Sequence, residues 1–127
     1  PKIEVCHSFA TAYSFDAGRS EMCRLLAQNT PCEAYFCGDD VLSIGALSAI
    51  SSAGLSVPDD VGLIGLNDME MAGWENIALT TIHQPIAKIV SSAIELILAT
   101  LEQPDRPPEA RLFPCHLVER QTLRPTL

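Results

Sequence analysis

Positive charge is scarce in this chain. Its 127 residues carry 8 Lys and Arg against 16 Asp and Glu, for a net charge of -8. The basic residues are Lys2, Arg19, Arg24, Lys88, Arg106, Arg111, Arg120 and Arg124, and they are scattered. Gripping phosphate backbones requires Lys and Arg clustered on one surface. A DNA contact, if the protein makes one, therefore falls to another part of the polypeptide. Long apolar runs are also missing. Nothing approaches the ~20 residues needed to cross a bilayer, and no signal-peptide pattern is present. An initiator Met is lacking, and the chain is read as a fragment of a longer protein. The cysteines Cys6, Cys23, Cys32, Cys37 and Cys115 are odd in number and contain no C-x-x-C pair. Cys6, Cys37 and Cys115 fall in apolar, strand-like runs, which points to buried, reduced thiols in a cytoplasmic protein. Cys115 and His116 face opposite sides of a strand and make no zinc pair. The G-x-S-x-G elbow, the Walker loop and G-x-G-x-x-G are absent. With no nucleophile–base arrangement either, no enzymic activity, cofactor or metal is expected.

What is present is an ample core: apolar residues make up 47% of the chain, enough for one globular domain. Val57-Pro58-Asp59-Asp60-Val61-Gly62-Leu63-Ile64-Gly65-Leu66-Asn67-Asp68 reads as a turn, a strand apolar on both sides, and two polar residues at its end. A strand buried on both faces implies a parallel sheet covered by helices. Other strands are expected at Ile3 to Ser8, Ala34 to Cys37 and Thr80 to His83, and at an edge over Arg111 to Glu119, where Pro114 interrupts. The first helix is expected from Phe15 to about Asn29, with Ser14 as N-cap and Gly18 as a mild weakness. The second runs from Val41 to Ala53 and stops at Gly54. Its serines Ser43, Ser48, Ser51 and Ser52 are placed on a solvated face. The longest helix opens on Pro85 and carries Ile86, Ile89, Val90, Ile94, Ile97 and Leu101 at helical spacing. The order β-α-β-α-β-β-α-β gives an α/β fold, a mostly parallel sheet with helices on both faces.

In open parallel sheets, ligands sit beyond the carboxyl ends of the strands. Tyr13, Asp39, Asn67 and Gln84 each follow a strand, so they converge on one rim. An aromatic face with hydrogen-bonding side chains beside it suits a hydroxylated, sugar-like ligand. Each residue also has a plainer reading. Asp40, just before the second helix, is taken as its N-cap, Asn67-Asp68 can be a turn pair, and Tyr13 can be core. His83 is read as a packed or surface histidine.

The runs Cys37-Gly38-Asp39-Asp40-Val41-Leu42-Ser43-Ile44-Gly45-Ala46-Leu47, Gly54 to Val61, Gly65-Leu66-Asn67-Asp68 and Leu79-Thr80-Thr81-Ile82-His83-Gln84-Pro85 closely resemble the lactose-repressor/galactose-repressor (LacI/GalR) family of bacterial transcription regulators. The resemblance extends from Tyr13 to Arg120. It implies that residues 1–127 form most of the C-terminal lobe of a two-lobed, periplasmic-binding-protein-like (type I) effector-binding domain. Residues 84–109 would be the crossing segment that enters the other lobe, and the helix-turn-helix DNA-binding head would be outside this chain. It further implies ligand contacts at Tyr13, Asp39, Asn67 and Gln84, operator DNA as a partner through the absent head, and a homodimer whose interface includes Trp74, Met71, Leu42 and Ala46. Family members usually carry Asn where Asp39 stands and Asp where Asn67 stands. A periplasmic sugar-binding protein serving a transporter is the alternative, and a receiver-like domain using Asp39-Asp40 would need a phosphate loop that is not found.

Overall fold

The computed structural model describes residues 2–28 and 32–125. Three helices and four strands follow in the order α1 (Phe15–Leu26), β1 (Ala34–Phe36), α2 (Asp40–Ser52), β2 (Gly62–Asn67), β3 (Thr81–His83), α3 (Ile86–Glu102) and β4 (His116–Val118), with a 3-10 turn at Glu70–Gly73. The sheet order is β1-β2-β3-β4. β1, β2 and β3 run parallel, and β4 pairs antiparallel with β3. No helix among the described residues is long and apolar enough to cross a membrane.

The body is α1 and α2 packed together, with α2 seated on β2. Ser14 caps α1 by accepting from the Ala17 N–H at 3.2 Å. Met22, Ala46, Ala49, Ile50, Val61, Leu63, Ala72 and Leu79 form the core. Burying a side chain such as Ile50 or Leu63 contributes roughly 1.5–3 kcal/mol. The two helices cross with backbone nearly touching backbone. A Cβ on Gly45 would lie 2.7 Å from the Arg19 amide nitrogen, and one on Gly18 2.8 Å from the Leu42 Cα. Gly18 and Gly45 thus permit the crossing, and the low helix propensity of Gly18 is the smaller effect.

Several expectations are corrected. Residues 3–8 form no strand, and Ile3 and Val5 are exposed. A strand needs a ladder partner and apolar cover; this segment has neither, and its Ser8 hydroxyl donates instead to Glu21 on α1. β1 is therefore a sheet edge with Phe36 exposed, where a buried strand was expected. α1 ends at Leu26, and Asn29 lies outside the described residues. Pro85 precedes the first residue of α3. Only His116–Val118 of the 111–119 run pairs in the sheet, at its edge. Cys6 and Cys115 are exposed and Cys37 is half-buried; with β1 at an edge and β4 three residues long, strand-like sequence brings no burial. Ser43 is buried, since α2 turns that face to Cys37, Asp40 and Gly65.

β2 is fastened from a distance. Thr122, buried, donates its hydroxyl to the Leu63 carbonyl at 2.7 Å and accepts from the Thr80 N–H at 2.8 Å. The segment after β4 thereby crosses back over β2 and the entry to β3. That sets the relative height of the two strand ends carrying Asn67 and His83, which lie in register.

Candidate functional site

The parallel register brings the carboxyl ends of β1, β2 and β3 to one edge of the sheet. Asp39, Asn67 and Gln84 meet there in a single line of hydrogen bonds. Gln84 Nε2 donates to Asn67 Oδ1 at 2.6 Å, and Asn67 Nδ2 donates to Asp39 Oδ2 at 2.8 Å. The other carboxylate oxygen, Oδ1, accepts from the Val41 N–H at 2.7 Å. Asp39 is therefore both the N-cap of α2 and the end of the line. All three side chains are half-buried, so each keeps a face to solvent. The fourth expected residue, Tyr13, is 79% exposed and shares no hydrogen bond with them. With residues 3–8 irregular, it follows no strand and stands in the bend just before α1.

Asp40 is not the cap. It is fully buried. Its Oδ1 accepts from the Thr81 hydroxyl at 2.6 Å and its Oδ2 from the Met69 N–H at 2.7 Å. A Cβ on Gly65 would lie 3.0 Å from the Ser43 hydroxyl and 2.9 Å from Leu79, so glycine leaves the room this carboxylate occupies. One buried side chain thus ties the start of α2 to the loop after β2 and to β3. These are the three segments that carry Asp39, Asn67 and Gln84. Burying a carboxylate is costly unless its oxygens are bonded, and here both are.

The backbone between the two is strained. Asn67 and Asp68 have φ values of 108° and 55°, a region that L-residues enter at a cost of order 1–3 kcal/mol each. The turn aims the two side chains apart. Asn67 joins the line above, and Asp68 joins a second cluster. Arg120 donates to Asp68 Oδ1 at 2.7 Å and to the Leu79 carbonyl at 2.8 Å. His83 Nδ1 lies 3.0 Å from Asp68 Oδ2, and its ring stacks on His116 with centroids 4.7 Å apart. Burial pulls the Asp68 carboxyl upward, but the bonds from Arg120 and His83 outweigh it and hold it below the usual carboxylate range. This cluster latches the end of β3, and hence the root of α3, to the loop after β2.

His83 was legible only as a packed or surface histidine, and Arg120 only as one scattered cation. The signal for Asp68 was its place beside Asn67. Nothing local marks Arg120, whose partner is 52 residues away. Of the expected interface residues, Trp74 is 52% exposed and Met71 and Leu42 are partly exposed, but Ala46 is buried in the chain's own core. Burial pushes the Cys37 thiol up, outweighing the opposing influence of the nearby Ser43 hydroxyl, so it is a poor nucleophile. Among the described residues, no group of three or more His, Cys, Asp or Glu is placed to hold a metal ion.

Polar side chains thus gather at the carboxyl rim of a mostly parallel α/β sheet, and residues 3–123 match the family described as periplasmic binding protein-like domain. In Escherichia coli K12, the HTH-type transcriptional repressor CytR is 35% identical over 112 residues, which are 88% of this chain and 33% of that protein. The Bacillus subtilis protein named "Probable HTH-type transcriptional repressor ExuR" is 32% identical over 124 residues, 96% of this chain and 37% of its own length. The crystal structure of a LacI family transcriptional regulator from Enterococcus faecalis V583, with bound ribose, is similar at a TM-score of 0.79 and 26% identity, covering 91% of this chain and 43% of that one. The chain belongs to the periplasmic binding protein-like domain family. It spans about a third of the length of these curated relatives.

Proposed function

We propose that this chain is the effector-sensing lobe of a LacI-type transcription regulator. It takes a small, hydroxyl-rich molecule such as a sugar at the rim formed by Asp39, Asn67 and Gln84, with Tyr13 as an aromatic cover. Occupancy of that rim alters operator binding by a helix-turn-helix head elsewhere in the polypeptide. The intact protein works in the cytoplasm as a homodimer, with Trp74, Met71 and Leu42 at the contact; Ala46 is withdrawn from that set by its burial. The observation that carries the reading is the hydrogen-bonded line across three adjacent strand ends, which keeps donors and acceptors aligned where this fold holds ligands. The identity to repressors favours a regulator over a transport-binding protein.

Calorimetry of the intact protein against sugars, polyols and nucleosides tests this directly. One class should bind, and Asp39→Ala should weaken that binding by about 1.5–3 kcal/mol, the range for hydrogen bonds to a charged group. Unchanged affinity in Asp39→Ala would remove the rim as the site.

A further inference from the structure

The line at the rim has a direction that chemistry imposes. As a carboxylate, Asp39 can only accept. The side-chain atom of Asn67 that lies 2.8 Å from it must then be the amide nitrogen. This turns the Asn67 carbonyl oxygen toward Gln84, so the Gln84 atom 2.6 Å away must also be a nitrogen. Gln84 Oε1 is left at the far end as an acceptor. Reversing either amide would set a carbonyl oxygen against a carboxylate or against another carbonyl. One carboxylate thus orients two amides across three strand ends.

Among the described residues, Asp39 enters no ion pair; its partners are a backbone N–H and an amide. Arg120 and His83, each able to carry positive charge, are both engaged by Asp68. An anionic ligand group at this edge would therefore meet the Asp39 carboxylate at one end of the line and an acceptor oxygen at the other.

We propose that Asp39, acting through Asn67 and Gln84, is a charge filter: the rim selects neutral polyhydroxyl ligands and excludes those carrying a carboxylate or phosphate. This rests on the reading of the rim as the ligand site. Like charges brought together in a partly desolvated site oppose binding strongly enough to be read as a selectivity ratio.

The test is calorimetry of the intact protein with pairs that differ in charge: D-galactose against D-galacturonate, and D-ribose against ribose 5-phosphate. The neutral member of the binding pair should bind at least about tenfold tighter than its anionic counterpart, a gap of ~1.4 kcal/mol. Asp39→Asn should shrink the gap to less than about threefold. That variant remains a sound helix cap, since Asn and Asp cap equally well, so its melting temperature should hold. An anionic member that binds the parent as tightly as the neutral one overturns the filter, and so does a gap that survives Asp39→Asn. If neither member of either pair binds, the reading of the rim as a sugar site falls, and the filter falls with it.

Discussion

α2 and α3 look alike as sequence, since both carry aliphatic residues at helical spacing, yet they end in opposite surroundings. α2 buries Ala46, Ala49 and Ile50 between α1 and β2. α3 buries only Ser92, and Ile86, Val90, Ile94, Ile97, Leu98 and Leu101 are each 50% or more exposed. A polar clasp holds α3: Arg111 donates to Ser92 and Glu95, both at 2.9 Å, from the segment before β4. Periodicity reports that a helix has an apolar side. It does not report whether the covering surface belongs to the same stretch of chain. For α2 the cover is α1, admitted to contact by two glycines. For α3 no cover exists among the described residues, and the helix does not fold onto the edge of its own sheet.

That contrast can be broken most sharply at the core. Ile50→Ala should destabilise the 127-residue chain by about 2–5 kcal/mol, read by urea denaturation. Ile94→Ala should change it by less than about 0.5 kcal/mol. Similar costs for the two would mean that the α3 stripe is covered after all.

The helix crossing comes next. Gly45→Ala places a methyl group against the Arg19 backbone and should cost about 1–3 kcal/mol by prying α1 from α2. A neutral result in the same denaturation experiment would show that the crossing has slack.

The latch at the root of α3 is worth less, about 1–2 kcal/mol for Asp68→Asn. Its sign with pH follows from the carboxyl lying below its ordinary value when folded. The stability it contributes is present at neutral pH and is lost as pH falls below ~3.9, the unfolded value, through the lower folded one. Asp68→Asn should flatten that part of the stability curve. Hydrogen exchange should rise at β3 and the first turn of α3 and remain unchanged in α2; faster exchange in α2 would show that the latch holds the whole body.

The smallest effect on folding, though visible in assembly, concerns the stripe itself. An exposed apolar surface of this length promotes association, and copies of the isolated chain are expected to pair through α3 at micromolar concentration. Ile94→Glu should shift light scattering towards monomer with little change in stability. A parent chain that is already a clean monomer and binds no hydrophobic dye would refute this.

Much of the architecture is readable from local signals. Ser14 begins α1, Gly54 follows the end of α2, and the doubly apolar run through Leu63 is the central strand. Because β1, β2 and β3 are parallel, knowing which residue follows each strand was enough to place Asp39, Asn67 and Gln84 on one rim. The same logic put Tyr13 after a strand, and it follows none, because residues 3–8 have strand-like composition but nothing to pair with.

From α1 onward, the order of helices and strands, the direction of the sheet and three of the rim residues were therefore determined by the sequence itself. Caps, turns and periodicity act over four or five residues and need no partner from elsewhere. Tertiary structure alone decided which of two adjacent aspartates caps α2 and which is buried, because both satisfy the local rule and only the Gly65 gap and the Thr81 hydroxyl separate them. It also decided that Arg120 holds Asp68 and that Ser43 is inside. Each of those outcomes depends on what distant parts of the chain bring alongside, and burial is a property of the assembled surfaces rather than of the residue.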